Sequence, residues 1–117
     1  MIKRYLLSIA FFLCVAAANG QTVQWGSKVI EFSSELTPVQ YSAQQILGKP
    51  NVLPAVGQNP NAWTPDRPKR KEWIKIGYET PLQIQQVAIA ESNNPGALYR
   101  ILAYDETGKE YVLQTVN

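Results

Sequence analysis

The strongest constraint on the fold comes from two alternating segments that flank a proline. In Trp73–Tyr78 the apolar residues Ile74 and Ile76 share one face, and Leu82–Glu91 also alternates. A period of two is typical of β-strands. Proline cannot donate to a strand ladder, so Thr80-Pro81 predicts a corner between the two strands. We therefore expect an antiparallel sheet in which these two strands fold back on each other.

Three further strands and one short helix are predicted along the chain. The strands are rich in β-branched and aromatic residues, and they are Val23–Phe32, Leu98–Tyr104 and Tyr111–Thr115. Gly108 supplies the left-handed residue of a hairpin turn between the last two. The helix is Ser42–Leu47, with Ser42 as its N-cap and Gly48 closing its end.

The predicted core follows from the faces of these strands. The alternation of Leu82–Glu91 changes phase at Gln85-Gln86, and a β-bulge there would restore one inward face. Apolar side chains of the strands and of the preceding loop then form the core: Trp63, Ile74, Ile76, Ile84, Val87, Ile89 and Ile101. The pattern indicates an all-β, antiparallel β-sandwich.

Residues 1–20 are predicted to be a secretory signal peptide. Lys3 and Arg4 precede the apolar run Tyr5–Ala18, and Ala18-Asn19-Gly20 offers small residues for cleavage before Gln21. The run is short for a bilayer span, which needs about 20 residues, although an N-terminal anchor is the alternative. Residues 21–117 then form one exported domain, located in the periplasm, at the outer membrane or outside the cell, and not integral to the membrane.

Removing the signal peptide also removes the charge imbalance. Lys3 and Arg4 lie within it, so residues 21–117 carry as many basic residues as the 9 acidic ones. A neutral exported domain gives no electrostatic reason to bind nucleic acid. Cys14, the single cysteine, lies in the signal peptide as well, so no disulfide is expected.

Few residues of the chain suit catalysis. It contains no histidine, the commonest general base and transition-metal ligand. Glu72, Glu79 and Glu91 lie near strand ends, where two of them could act as a glycosidase pair. Acids at such positions are more often solvated turn residues. We therefore predict no catalytic residues and no enzyme activity.

Two polar loops are predicted to form a ligand site. An antiparallel pair that folds back at Thr80-Pro81 brings Asn59–Arg67, in the Lys49–Arg70 loop, and the Ser92–Ala97 loop to one end of the sheet. Amide, carboxylate, guanidinium and aromatic groups gather there, from Asn59, Asn61, Trp63, Asp66, Arg67, Asn93, Asn94 and Tyr99. Such a mixture suits a hydroxyl-rich ligand. Asn is also a standard turn residue, and Trp63 is alternatively a plug of the core.

Two other ligands are weighed for the same region. The basic run Arg67–Lys71 could bind an anionic envelope polymer, or it could be a solubilising loop. Calcium prefers six to eight oxygen ligands. Leu47–Asn61 offers carbonyl and amide oxygens but no acid, so a structural calcium would need Asp66 or Glu91. No other cofactor and no metal-ligating residues are predicted.

The order of these elements resembles a known family. The short helix Tyr41–Gly48, the Asn61–Thr64 segment with Trp63, and the Glu72–Tyr78 strand with its proline corner resemble the galactose-binding-like domains of discoidin and coagulation-factor C type. More closely, Val23–Thr115 is similar to the N-terminal module of outer-membrane-protein-A-like envelope proteins of Bacteroidetes.

The resemblance implies an eight-stranded jelly-roll β-sandwich that binds glycans or surface polymers through loops at one end, without catalysis. The family has an Asp where Leu47 stands here, which weakens the calcium expectation. It also has further strands, so we expect the sandwich to be incomplete at Asn117. The predicted function is an exported binding module of the cell envelope, with a glycan, a cell-wall polymer or other envelope proteins as partners. The alternatives are a structural spacer and an accessory domain of a secreted carbohydrate-active enzyme.

Overall fold

A computed structural model describes residues 22–67 and 70–116. These residues form two separate antiparallel sheets of two strands each. The four strands are β1 Lys28–Phe32, β2 Ile74–Gly77, β3 Arg100–Tyr104 and β4 Glu110–Thr115. The prediction of an all-β, antiparallel fold is confirmed, and the jelly-roll topology stays a prediction. The predicted signal peptide, residues 1–20, and its predicted cleavage site before Gln21 lie outside the described residues.

The first sheet joins strands that are far apart in sequence. β1 pairs with β2 so that Val29 faces Ile76 and Phe32 faces Ile74. The register shifts between Val29 and Glu31, which makes Ile30 an additional residue in β1. An extra residue of this kind bends a strand and increases its twist. Because the two strands are antiparallel, the loop after β1 and the loop before β2 lie at the same end of the sheet.

The second sheet is the predicted hairpin. Tyr104 faces Glu110 across it, and Gly108 has the expected positive φ of 84°. The turn is held by Asp105, whose Oδ1 accepts hydrogen bonds from the backbone N–H groups of Thr107 at 2.9 Å and Lys109 at 3.0 Å. A short Asp side chain that accepts bonds two residues on is a known turn former. The hairpin turn was therefore predictable from local chemistry.

The predicted partner of β2 is wrong. Leu82–Glu91 forms no strand, so no bulge forms at Gln85-Gln86 and β2 does not fold back at Thr80-Pro81. β2 pairs with β1 instead. Alternation indicates that a segment can form a strand with one apolar face, but it does not identify the strand with which that segment pairs. Nearness in sequence favoured the wrong partner.

Burial in the described residues is slight, and part of the predicted core is wrong. Ile84 is 51% exposed, Val87 41% and Ile89 48%. Trp63, Ile74, Ile76 and Ile101 are half-buried. Ile84, Val87 and Ile89 belong to Leu82–Glu91, which pairs with no strand. Among the described residues, no second layer of structure covers this segment.

The predicted helix is a single 3-10 turn, Ala43–Ile46. The Ser42 side chain makes no cap hydrogen bond; instead the Glu35 Oε2 accepts one from the Ala43 backbone N–H at 2.8 Å. Gly48 has a φ of 76°, as expected for a residue that ends a helix. Ala43 is 1% exposed. Within 22–67 and 70–116, no helix has the length and apolarity to cross a membrane.

Candidate functional site

The Lys49–Arg70 loop is anchored by backbone hydrogen bonds to the chain after β1. The Tyr41 N–H donates to the Pro60 carbonyl at 2.8 Å, and the Tyr41 carbonyl accepts from Thr64 N–H at 3.0 Å. Thr64 in turn accepts from Leu36 N–H at 2.8 Å. Tyr41 has a φ of 57°, which is rare for a bulky residue and persists only where the surroundings enforce it. These bonds fix Asn59–Thr64 in place.

Two serines and a glutamate lie where β1 ends and β2 begins. The Glu72 Oε2 accepts hydrogen bonds from the Ser33 hydroxyl and, at 2.7 Å, from the Ser34 hydroxyl. Ser33 Oγ also accepts from the Trp73 N–H at 2.9 Å. The serines lie beside Glu72 because the antiparallel pairing of β1 with β2 places the residues after Phe32 opposite those before Ile74.

Ser34 also positions Trp63 and Asp66. Its carbonyl accepts a 3.0 Å hydrogen bond from Trp63 Nε1, and its hydroxyl accepts a 3.1 Å bond from Asp66 N–H. Ser34 is only 7% exposed. A buried polar residue needs such partners, since an unpaired one costs free energy. This single serine therefore fixes one end of the predicted site.

The Glu72 carboxylate is held in its ionised form. The hydroxyl of Ser33 is the largest cause that lowers its pKa below the ordinary 4.5, and the hydroxyl of Ser34 is the next. The charge of Arg67 lowers this pKa further, while the charge of Asp66 opposes the shift. Hydrogen bonds donated to a carboxylate favour its charged form.

Arg67 lies beside Asp66 at the exposed end of this cluster. The Arg67 Nε is 3.5 Å from Asp66 Oδ1. The Arg67 carbonyl accepts a 3.1 Å hydrogen bond from Arg70 N–H, so these two arginines occupy the ends of one tight turn. Arg67 and Arg70 are both exposed. The Arg67 guanidinium group therefore lies beside the Asp66 carboxylate, and both arginine side chains are open to solvent.

The second predicted loop meets the first through the backbone. The Gly57 N–H donates a 2.7 Å hydrogen bond to the Ser92 carbonyl. Within the second loop, Glu91 Oε2 accepts from Gly96 N–H at 2.7 Å, and Asn94 has a left-handed φ of 50°. Asn tolerates that conformation better than most residues. The loop is thus a closed turn that displays exposed amides.

Tyr99 links the second loop to the start of β2. The Lys71 Nζ lies 5.4 Å from the centroid of its ring, within the range of a cation–π contact. The Tyr99 carbonyl accepts a 2.7 Å hydrogen bond from Val116 N–H, which fixes its backbone beside β4. The ring is 41% exposed. A positively charged side chain and an open aromatic face therefore lie together.

The predicted site residues divide into four local groups, the last of which is Asn93 with Asn94. Trp63, Asp66 and Arg67 meet around Ser34 and Glu72. Tyr99 contacts Lys71, and the Gly57–Ser92 bond joins the two loops. Asn59 accepts a 3.0 Å hydrogen bond from Asn61 N–H, a local turn. Within residues 22–67 and 70–116, no hydrogen bond joins Asn93 or Asn94 to the first loop.

Sequence reasoning left Ser33 and Ser34 out of the site. It weighed Arg70 and Lys71 only as part of the basic run Arg67–Lys71, and Glu72 only as a catalytic acid. The sequence contained a clue to the two serines, since they directly follow one predicted strand and Glu72 directly precedes another. Placing the serines beside Glu72 required the prediction that those two strands pair. The wrong pairing of β2 hid the connection.

Metal-ligating side chains are scattered among the described residues. Within 22–67 and 70–116, no three His, Cys, Asp or Glu side chains lie close enough to hold one together. Asp66 lies next to Arg67, and Glu72 accepts hydrogen bonds from Ser33 and Ser34. The arrangement is instead suited to hydrogen bonding, because its local groups present carboxylate, guanidinium, amide and ammonium groups.

Comparison with known proteins relates the chain to a curated protein and to a protein family. F-box/LRR-repeat protein 4 of Bos taurus is 27% identical over 109 residues, an alignment that covers 73% of this chain. The chain spans only 18% of that relative's length. No solved structure matches the chain. A family model described as "Pappalysin-1, SD scarf domain, C-terminal" matches residues 14–117, a range that includes all of the described residues. The chain therefore belongs to the Pappalysin-1 SD scarf domain, C-terminal, family.

Proposed function

We propose that this chain is a non-catalytic binding module that recognises a glycan or surface polymer through the two joined loops. The observation that carries the proposal is the 2.7 Å bond from Gly57 N–H to the Ser92 carbonyl. It ties the loop that holds Trp63 and Arg67 to the loop that leads into Tyr99. Exposed polar groups on a fixed backbone can bind a ligand with little ordering cost.

The chemistry of the loops supports a hydroxyl-rich ligand. Exposed amides at Asn61, Asn93 and Asn94 offer donors and acceptors, and the open face of Tyr99 offers a surface on which a sugar ring can stack. We further propose that the module is exported to the cell envelope and that its complete fold is a galactose-binding-like jelly roll. Calcium as a structural ion belongs to the same proposal and would need Asp66 or Glu91.

The decisive experiment is a glycan array with the purified protein and two variants. Asp66→Ala and Asn93→Ala should weaken binding by about tenfold, the loss of one well-placed polar contact, without lowering the melting temperature. Asn51→Ala is the control, because Asn51 is an exposed asparagine of the same loop outside the site. Full binding by both variants would move the site elsewhere.

A structural spacer is the second candidate function, and one observation favours it. Trp63 uses its ring N–H on Ser34, and Asn59 uses its side chain on Asn61. Both side chains therefore have roles within the fold. An array without any bound glycan would support the spacer and overturn the binding module.

Export is tested separately by N-terminal sequencing of the protein from the cell envelope. The proposal expects Gln21 as the first residue. A chain that still begins at Met1 would contradict it and favour an N-terminal anchor.

A further inference from the structure

Positive charge is concentrated next to the proposed site. From Asp66 to Glu72, both included, the sequence has two acidic residues and the four basic residues Arg67, Lys69, Arg70 and Lys71. Over 21–117 as a whole, basic and acidic residues are equal in number. The local excess therefore belongs to this turn and not to the whole domain.

The two acidic side chains of this turn offset only part of the positive charge of its four basic residues. Glu72 accepts hydrogen bonds from the hydroxyls of Ser33 and Ser34 and forms no ion pair among the described residues. Asp66 lies 3.5 Å from Arg67 Nε and offers that arginine only a long contact at an exposed position. Among the described residues, neither Arg70 nor Lys71 forms an ion pair. The turn thus keeps net positive charge facing solvent.

The geometry of the turn suits an anionic group. The bond from Arg70 N–H to the Arg67 carbonyl brings the two arginines to the ends of one turn. A guanidinium group presents a planar fork of donors that matches a carboxylate or phosphate. Lys71 adds an ammonium group over the ring of Tyr99. Cations and an aromatic face are therefore within reach of one ligand.

We infer that the ligand of this site is an acidic polysaccharide, whose charged groups bind Arg67 and Arg70 while a sugar ring stacks on Tyr99. The inference rests on the proposed glycan-binding function and narrows it to one class of polymer. A polyanion without sugar rings would use the arginines but not Tyr99. A neutral glycan would use Tyr99 but not the arginines.

The test uses polygalacturonate and its methyl ester, two polymers with one backbone that differ in charge, together with inorganic polyphosphate. We expect the protein to bind polygalacturonate at least about tenfold more tightly than the ester. Polyphosphate should bind more weakly than polygalacturonate. Raising the salt concentration above about 0.15 M should weaken the polygalacturonate complex, because screening grows with ionic strength.

Substitutions in the turn test whether Arg67 and Arg70 are responsible for the binding of polygalacturonate. The double substitution Arg67→Gln and Arg70→Gln should reduce polygalacturonate binding by at least about tenfold. The control, Lys49→Gln with Lys109→Gln, removes the same charge from other segments and should change binding by less than about twofold. Melting temperatures of both variants confirm that the fold is kept.

Each result separates this inference from the function on which it rests. Equal binding of polygalacturonate and its ester would overturn the acidic ligand but keep the glycan module. Equal binding of polyphosphate and polygalacturonate would show recognition of charge alone and overturn the polysaccharide. Equal losses in the arginine and lysine variants would remove the site from this turn. Failure to bind either polymer, with no glycan bound on the array, would overturn both proposals.

Discussion

Ser34 connects three parts of the chain with one side chain and one carbonyl. Its hydroxyl donates to Glu72 and accepts from Asp66 N–H, while its carbonyl accepts from Trp63 Nε1. At 7% exposure, water cannot easily replace these bonds. The residue is short and uncharged, so it satisfies its partners without bringing a charge into the fold.

Ser34→Ala should therefore destabilise the fold more than an ordinary surface change. The variant leaves Asp66 N–H without its acceptor, and an unsatisfied partly buried group costs about 1–3 kcal/mol. Chemical denaturation measures the difference. Ser27→Ala is the control, since the exposed Ser27 hydroxyl makes one bond, to the Gly77 carbonyl at 3.1 Å. Equal effects of the two substitutions would contradict the role of Ser34.

Glu72 should make stability depend on acid pH. Its pKa in the folded chain lies below the ordinary 4.5, mainly through the Ser33 hydroxyl. As the pH falls, Glu72 is therefore protonated in the unfolded chain before it is protonated in the folded chain. The stabilisation from the Glu72 carboxylate is fully present above pH 4.5 and is lost as the pH falls through the lower pKa of the folded state.

The expected result is that Glu72→Gln is less stable than the wild type at neutral pH and loses less stability on acidification. Denaturation curves between about pH 3 and pH 7 give the comparison. Glu79→Gln, a change at an exposed acid just after β2, should retain the acid sensitivity of the wild type. The same sensitivity in all three proteins would show that Glu72 is not its source.

At the scale of elements, β2 is the connection between the two sheets. It pairs with β1 by backbone hydrogen bonds, and its Lys75 reaches the ring of Tyr104 in β3, with Nζ 3.8 Å from the centroid. Glu31 faces Lys75 across the first sheet. The Tyr104 hydroxyl donates to Glu110 at 2.5 Å, and this bond raises the Tyr104 pKa. One lysine thus lies between the sheets.

A double-mutant cycle with Lys75→Met and Tyr104→Leu should show favourable coupling between the sheets. Such a cycle isolates the pairwise term from the effects of each substitution. The matching cycle with Lys109→Met and Tyr111→Leu should show weaker coupling, because Lys109 Nζ lies 5.1 Å from the Tyr111 ring and both belong to the hairpin. Zero coupling for the first pair would mean that the contact does not hold the sheets together.

The whole molecule exposes an unusual amount of apolar surface. Val112 is 60% exposed, Leu113 44% and Ile84 51%. β4 pairs only with β3 among the described residues, and it has a single charged residue, Glu110. Natural edge strands usually carry charges or proline that prevent pairing with another chain. This edge has few such features.

We therefore predict that the purified protein associates with itself at high concentration. Val112→Lys should shift it towards the monomer, with a stability change within about 0.5 kcal/mol as for most exposed positions. Sedimentation velocity measures the shift. Gln58→Lys adds the same charge in the first loop and should leave association unchanged. A wild-type protein that stays monomeric at every concentration would contradict the prediction.

The sequence by itself determined the local features of this protein. The strand character of β1, β2, β3 and β4 follows from β-branched and alternating residues. The turn at Gly108 and the end of the helical turn at Gly48 follow from the conformational freedom of glycine. These features depend on interactions between near neighbours, so the order of residues is enough to predict them. The two loops of the candidate site were also recognisable from their Pro and Asn residues.

Only the tertiary structure decided how these pieces meet. β2 pairs with β1 across about forty residues and leaves Leu82–Glu91 without a ladder, which no periodicity could reveal. The same pairing brings Ser33 and Ser34 to Glu72 and so builds the end of the site where Trp63, Asp66 and Arg67 lie. Alternation determines which side chains share a face of a strand. Which strand pairs with it depends on the arrangement that gives hydrogen-bond partners both to the backbone and to the buried polar groups.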